Sequence, residues 1–179
     1  MTIAFLAALA MHLFVQLWLS HRQTRHVAAH RHEVPPAFAD AVSAAEHRKA
    51  ADYTVARQRF SRLELVYDAI LLLVLTLGGG IAALGRLATA IAGSNPIGTG
   101  SLHVLLVLLA MSLATLPFSV WRTFVLEARF GFNRTTPAVF VADLLKAAAL
   151  GALLGGGIVA LVLWTMQASG ERWWLVAWA

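Results

Sequence analysis

At 179 residues the chain has room for one domain. With 59% hydrophobic residues, 13% charged residues and a mean hydropathy of +0.72, it lacks the roughly 25% charge of a soluble globular domain. It holds no cysteine, which excludes disulfides and thiolate metal sites. The net charge of +5 does not point to nucleic acid, because the basic residues cluster beside apolar runs without an aromatic–basic recognition motif.

The first run, residues 1–20, is uncharged and long enough to cross about 30 Å of hydrocarbon at ~1.5 Å per residue. Its basic cluster follows the apolar core, the reverse of a cleaved signal peptide. We therefore expect a retained span with its N-terminus outside.

Residues 21–63 form a basic segment with Arg22, Arg25, Arg31, Arg48, Lys49, Arg57, Arg59 and Arg62. Within it, "HRQTRHVAAHRHE" carries His21, His26, His30 and His32, and His26 and His30 share a helical face. The neighbouring arginines would repel a metal cation, so the stretch reads as a juxtamembrane basic patch attracted to anionic lipid. Two prolines follow His32-Glu33, and no HExxH zinc-protease signature is present. Pro35 and Pro36 interrupt any helix. From Phe38 the spacing predicts a helix that runs without a break into the second span, with Glu64 and Asp68 one turn apart where it enters the bilayer.

The second span is predicted over residues 64–92 and the third over 101–128. Pro117 in the third removes one backbone hydrogen bond and should kink it. Between the third and fourth spans lies "EARFGFNRTTP". Gly131 allows a sharp turn, Asn133 can cap, and Thr135 or Thr136 before Pro137 makes a helix start. Glu127, Arg129, Phe130 and Phe132 are not needed for that.

The fourth span is predicted over residues 137–168. Asp143 and Lys146 stand one turn apart at its start, either as functional intramembrane charges or as an ion pair that lessens its own burial cost. Ala147, Gly151 and Gly155 follow a small-xxx-small pattern that allows close helix approach. A last apolar run, "WWLVAWA", begins at Trp173, and residues 171–179 read as the start of a fifth span cut short, as expected for the front part of a longer protein. His12 and His103 are expected to be packed or interfacial. Arg122, Arg129 and Arg134 lie in the same alternate set of loops as residues 21–63, whereas the other side carries only Arg86 and Arg172. The charge bias places residues 21–63 and 122–137 in the cytoplasm. The fold expected is therefore all-α: a polytopic transmembrane bundle of four spans and the start of a fifth, with a cytoplasmic helical extension before the second.

"KAADYTVARQRF" (residues 49–60) together with "FVLEARFGFNRTTPAVFVADLLK" (residues 124–146) resembles the N-terminal membrane region of the type 1 CAAX prenyl proteases, integral-membrane zinc metalloendopeptidases. The resemblance covers nearly the whole chain. It implies a helical membrane chamber that admits a prenylated or hydrophobic C-terminal peptide. It further implies zinc held by an HExxH helix and a downstream glutamate beyond this region, activating water for attack on a peptide carbonyl. This sequence contains no HExxH. The segment is accordingly expected to bind no zinc, to have no catalytic residue of its own and to be inactive alone. Its partners would be the C-terminal catalytic domain of the same polypeptide, the bilayer and the peptide substrate. Matched to the family's motif, Glu127, Arg129, Phe130, Gly131, Asn133, Asp143 and Lys146 would lie near the cytoplasmic floor of the chamber, facing the catalytic domain. A bacterial inner membrane is the expected location. The alternative reading is a standalone membrane scaffold or binding protein without protease activity.

Overall fold

The computed structural model describes residues 1–38, 40–170 and 173–174. The predicted start of a fifth span lies outside them, apart from Trp173 and Trp174, which are helical. Among the described residues every regular element is helical, as expected: α1 (Thr2–Ala29), α2 (Ala44–Thr76), α3 (Gly80–Ala92), α4 (Pro96–Trp121), α5 (Pro137–Leu150) and α6 (Gly156–Ser169). Two π-helical segments, Arg122–Glu127 and Gly151–Gly155, extend α4 and join α5 to α6.

The helices Thr2–Ala29, Pro96–Glu127 and Pro137–Ser169 are each long and apolar enough to cross a membrane. Ala44–Thr76 and Gly80–Ala92 qualify only as a pair, bent by 55°. α2 runs without a break from Ala44 to Thr76, and the interruption falls inside the range predicted for the second span, residues 64–92. Its cause is the triple glycine. The amides of Leu77 and Gly78 both donate to the Leu73 carbonyl, at 2.9 Å each, and Gly79 then turns at φ +78°, a conformation that residues with a Cβ rarely adopt.

A departure concerns the start of α2. The apolar spacing suggested a helix from Phe38, but a short 3-10 turn occupies Pro36–Phe38 and α2 begins at Ala44. Ser43 starts it through a reciprocal cap. Its hydroxyl accepts from the Glu46 amide at 3.2 Å, while its own amide donates to the Glu46 carboxylate at 3.0 Å. Such a capping box satisfies two amides that the first turn would otherwise leave unpaired.

The chain divides into two compact units. The first comprises residues 1–72 and 118–133. There α1 and α2 run antiparallel: Ser20 donates to Gln58 at 3.0 Å, Arg31 pairs with Asp52 at 3.3 Å, and His47 meets the His30 carbonyl at 3.2 Å. Ala51 is buried along the same helix.

The second unit comprises residues 73–117 and 134–179. Asn95 caps α4, its side-chain oxygen accepting from the amides of Ile97 and Gly98 at 3.1 Å each. Pro117 lies inside α4. One turn of Thr115 hydroxyl bonding, to the carbonyls of Met111 and Ser112, precedes it. Small residues bring α4 and α6 together, but not the predicted ones. A Cβ on Gly100 would stand 2.7 Å from a Leu163 methyl, and one on Gly156 would stand 3.3 Å from a Leu105 methyl. Gly151 and Gly155, in the expected small-xxx-small stripe, have nothing within 4 Å of an added Cβ. Both lie in the π-helical segment, whose wider turn breaks the four-residue register on which the stripe relied. His103 is packed as expected, its Nε2 3.0 Å from the Ile81 carbonyl and its ring against Gly85.

Candidate functional site

Within the first unit, one face of α2 receives the end of the α4 extension and the turn that follows it. Positions 49, 53, 60, 64 and 67 recur at helical spacing and so share that face. Tyr67 meets the Phe118 ring at 4.6 Å, and Phe60 stacks on Trp121 at 4.6 Å with Phe118 at 5.8 Å. Glu64 accepts a hydrogen bond from the Arg122 guanidinium. Leu126 is buried.

The turn itself is fixed by its backbone. The amides of Phe132 and Asn133 both donate to the Glu127 carbonyl, at 2.9 and 3.3 Å, and the Gly131 amide donates to the Ala128 carbonyl at 3.0 Å. Gly131 sits at φ +71°, as its place in the sequence suggested. The two phenylalanines flanking it close edge-on over Tyr53, Phe130 at 5.4 Å and Phe132 at 4.8 Å. Lys49 covers the other side, its ammonium 5.3 Å from the centre of the Phe132 ring and 3.6 Å from where a Cβ on Gly131 would stand. That cation lies beside a helix C-terminus, the favourable end for positive charge.

The structure therefore brings together Glu127, Arg129, Phe130, Gly131 and Asn133 in one turn and seats the turn on Lys49 and Tyr53. It also explains the phenylalanines, which a simple loop does not require. Glu127 serves the turn through its carbonyl. Among the described residues the carboxylate of this half-buried residue makes no ion pair, and neither does the exposed Arg129. The predicted pair Asp143 and Lys146 belongs to the second unit, where the two side chains meet at 3.6 Å and are both largely exposed. Sequence reasoning did not single out Lys49, Tyr53, Phe60, Phe118, Trp121 or Arg122 as site residues. The shared face of Lys49, Tyr53 and Phe60 on α2 was readable from spacing, but that the segment carrying Phe118, Trp121 and Arg122 packs on it was not.

His26 and His30 stack at 4.4 Å, and His30 Nδ1 is 2.9 Å from the His26 carbonyl. Among the described residues no three of His, Asp and Glu come close enough to hold a metal ion. The zinc implied by the resemblance thus finds no ligand set among them.

Residues 23–179 match the family described as CAAX prenyl protease N-terminal, five membrane helices. The chain belongs to this family. A CAAX prenyl protease 1 homolog of Homo sapiens is 30% identical over 173 residues, covering 92% of the chain and 36% of the relative. The probable CAAX prenyl protease 1 of Schizosaccharomyces pombe is 26% identical over 174 residues, covering 90% and 36%. The crystal structure of S. mikatae Ste24p superposes with a TM-score of 0.84 at 22% identity, covering 93% of this chain and 40% of that one. At that identity the likeness shows the fold. The chain spans about a third of the length of the full-coverage relatives, and it is an integral-membrane N-terminal region of the CAAX prenyl protease family.

Proposed function

We propose that this chain is the non-catalytic N-terminal membrane part of a zinc metalloendopeptidase, forming chamber wall and a route of access for C-terminal CAAX-type or hydrophobic peptides. The observation that carries the reading is the seating of the Glu127–Asn133 turn on α2. It joins, at one place in the first unit, the two segments that carry the resemblance, and among the described residues neither the Glu127 carboxylate nor the Arg129 guanidinium has an ionic partner. A neighbouring catalytic domain would offer both charges a partner. In this reading Glu127, Arg129, Phe130, Gly131, Asn133, Asp143 and Lys146 line the cytoplasmic floor toward that domain. Residues 21–63 and 122–137 are cytoplasmic, the N-terminus is outside, and the membrane is a bacterial inner membrane. The zinc and its ligands would belong to the remaining polypeptide, so no step of the hydrolysis is assigned to residues of this segment.

The test is cleavage of a prenylated CAAX peptide by the longer polypeptide and by residues 1–179 alone. The longer protein should cleave in a chelator-sensitive way and the segment should not. In the longer protein, Glu127→Ala and Asn133→Ala should each lower kcat/KM while leaving membrane insertion intact. Cleavage by the segment, or wild-type rates in both variants, would sink the proposal. A coding sequence that stops after Ala179 would favour a standalone scaffold instead.

A further inference from the structure

One face near the end of α1, carrying Trp18, Arg22 and Arg25, makes none of the contacts with α2 described above. The apolar stretch of α1 finishes at Trp18 and Leu19, both about half exposed, and a basic stretch follows at once. No acidic residue precedes Glu33 in the sequence. Trp18, Arg22 and Arg25 follow one another at spacings of four and three, so they share a face of the helix.

The Arg22 guanidinium lies 4.8 Å over the Trp18 ring, a contact that steadies the cation without consuming its N–H donors. Arg25 is exposed beside it. Whereas Arg31, Arg122 and Lys146 each have a carboxylate partner, Arg22 and Arg25 make no ion pair among the described residues. Leu19, Arg22, Gln23, Arg25 and His26 line an open hollow on the surface. The helix beneath them is held in place. Gln58 of α2 donates to Gln23 and accepts from Ser20, at 3.0 Å each.

We propose that this hollow holds the phosphodiester headgroup of an anionic glycerophospholipid, gripped by Arg22 and Arg25 with Trp18 marking the interface. Three features select that occupant. Two unpaired guanidinium groups offer planar N–H forks that match phosphate oxygens. A tryptophan at the end of an apolar helix places them at headgroup depth. Leu19 adds an apolar wall on the side of the acyl chains, which a free phosphate would not need. The site requires only that α1 crosses the bilayer, and it stands whether or not the protease reading does.

The probe is dioctanoyl phosphatidylglycerol, titrated into the delipidated chain in detergent and counted by native mass spectrometry. Dioctanoyl phosphatidylcholine and inorganic phosphate are run in parallel. Saturable binding of the anionic lipid is expected, with little of the other two. The Arg22→Ala/Arg25→Ala variant should weaken it roughly tenfold or more, Trp18→Leu about threefold, and the exposed control Arg86→Ala not at all. Should the double variant lose helical content, Arg25→Gln alone is read, with a loss of about fivefold. Unchanged binding in the arginine variants, an equal loss in Arg86→Ala, or equal binding of phosphatidylcholine or inorganic phosphate would overturn the proposal.

Discussion

Arg122 donates to Glu64, and the two partners differ in burial: the Glu64 side chain is 16% exposed and that of Arg122 is 42% exposed. The pair ties α2 to the π-helical segment where the aromatic rings of Phe60, Phe118 and Trp121 also meet. Removal of either partner should therefore not cost the same. Arg122→Ala strands a largely buried carboxylate, whereas Glu64→Ala leaves an arginine able to extend its head toward water. We expect Arg122→Ala to cost about 1–3 kcal/mol and Glu64→Ala less, with the double variant closer to Glu64→Ala than to the sum. Thermal unfolding of the four proteins in one detergent measures this. Equal and additive losses would mean that the pair carries no net interaction.

Tyr53 is the anvil for both phenylalanines of the turn. Each edge-on aromatic pair contributes about 0.5–1.5 kcal/mol beyond area burial, so Tyr53→Ala should release the turn and Tyr53→Phe should not. Limited proteolysis reports it directly: faster cutting within residues 129–134 in Tyr53→Ala alone. Equal cutting in both variants would point to the hydroxyl, and no change in either would show that the backbone bonds to Glu127 suffice.

Much of this was legible beforehand, for identifiable reasons. Apolar runs of membrane length announce themselves, and Gly131, Thr136 and Pro137 are turn and cap residues whose chemistry is local. Thr136 rather than Thr135 proved to be the cap of α5, its hydroxyl accepting from the Val139 amide at 3.3 Å. The start of α2 lies later than apolar spacing after Phe38 suggests, because the Ser-x-x-Glu box at Ser43–Glu46, itself a local signal, fixes the first turn. The bend at Gly79 is likewise carried by a local signal, three glycines in a row. The seam between α2 and the turn is different in kind. Lys49 and Phe132 are distant in sequence, and nothing local to either says that they meet.

The capping box makes the start of α2 sensitive to acid. Hydrogen bonds from the Ser43 hydroxyl and then its amide hold the Glu46 carboxyl below its ordinary value of 4.5. A depressed folded-state pKa contributes stability that is present above the unfolded value and is lost as pH falls through the folded one. Amide exchange at residues 43–47 should accordingly accelerate relative to the rest of α2 once pH drops below 4.5. Glu46→Gln should flatten that dependence, and a dependence unchanged in Glu46→Gln would assign it to another group.

Gly131 separates conformational from steric demand. A Cβ there would meet only the Lys49 ammonium, at an ordinary 3.6 Å, so space is not the obstacle. The obstacle is φ +71°, which costs an L-residue roughly 1–2 kcal/mol and is best tolerated, after glycine, by asparagine or aspartate. Gly131→Ala should therefore destabilise by about 1 kcal/mol, Gly131→Asn by less and Gly131→Val by more, in the order of left-handed tolerance rather than of volume. Lys49→Met in the Gly131→Ala background provides the control. If the alanine variant is limited by backbone strain, shortening the cationic head above it rescues nothing. Recovery of the lost unfolding temperature in the double variant would show that contact with Lys49, not the backbone, sets the need for glycine.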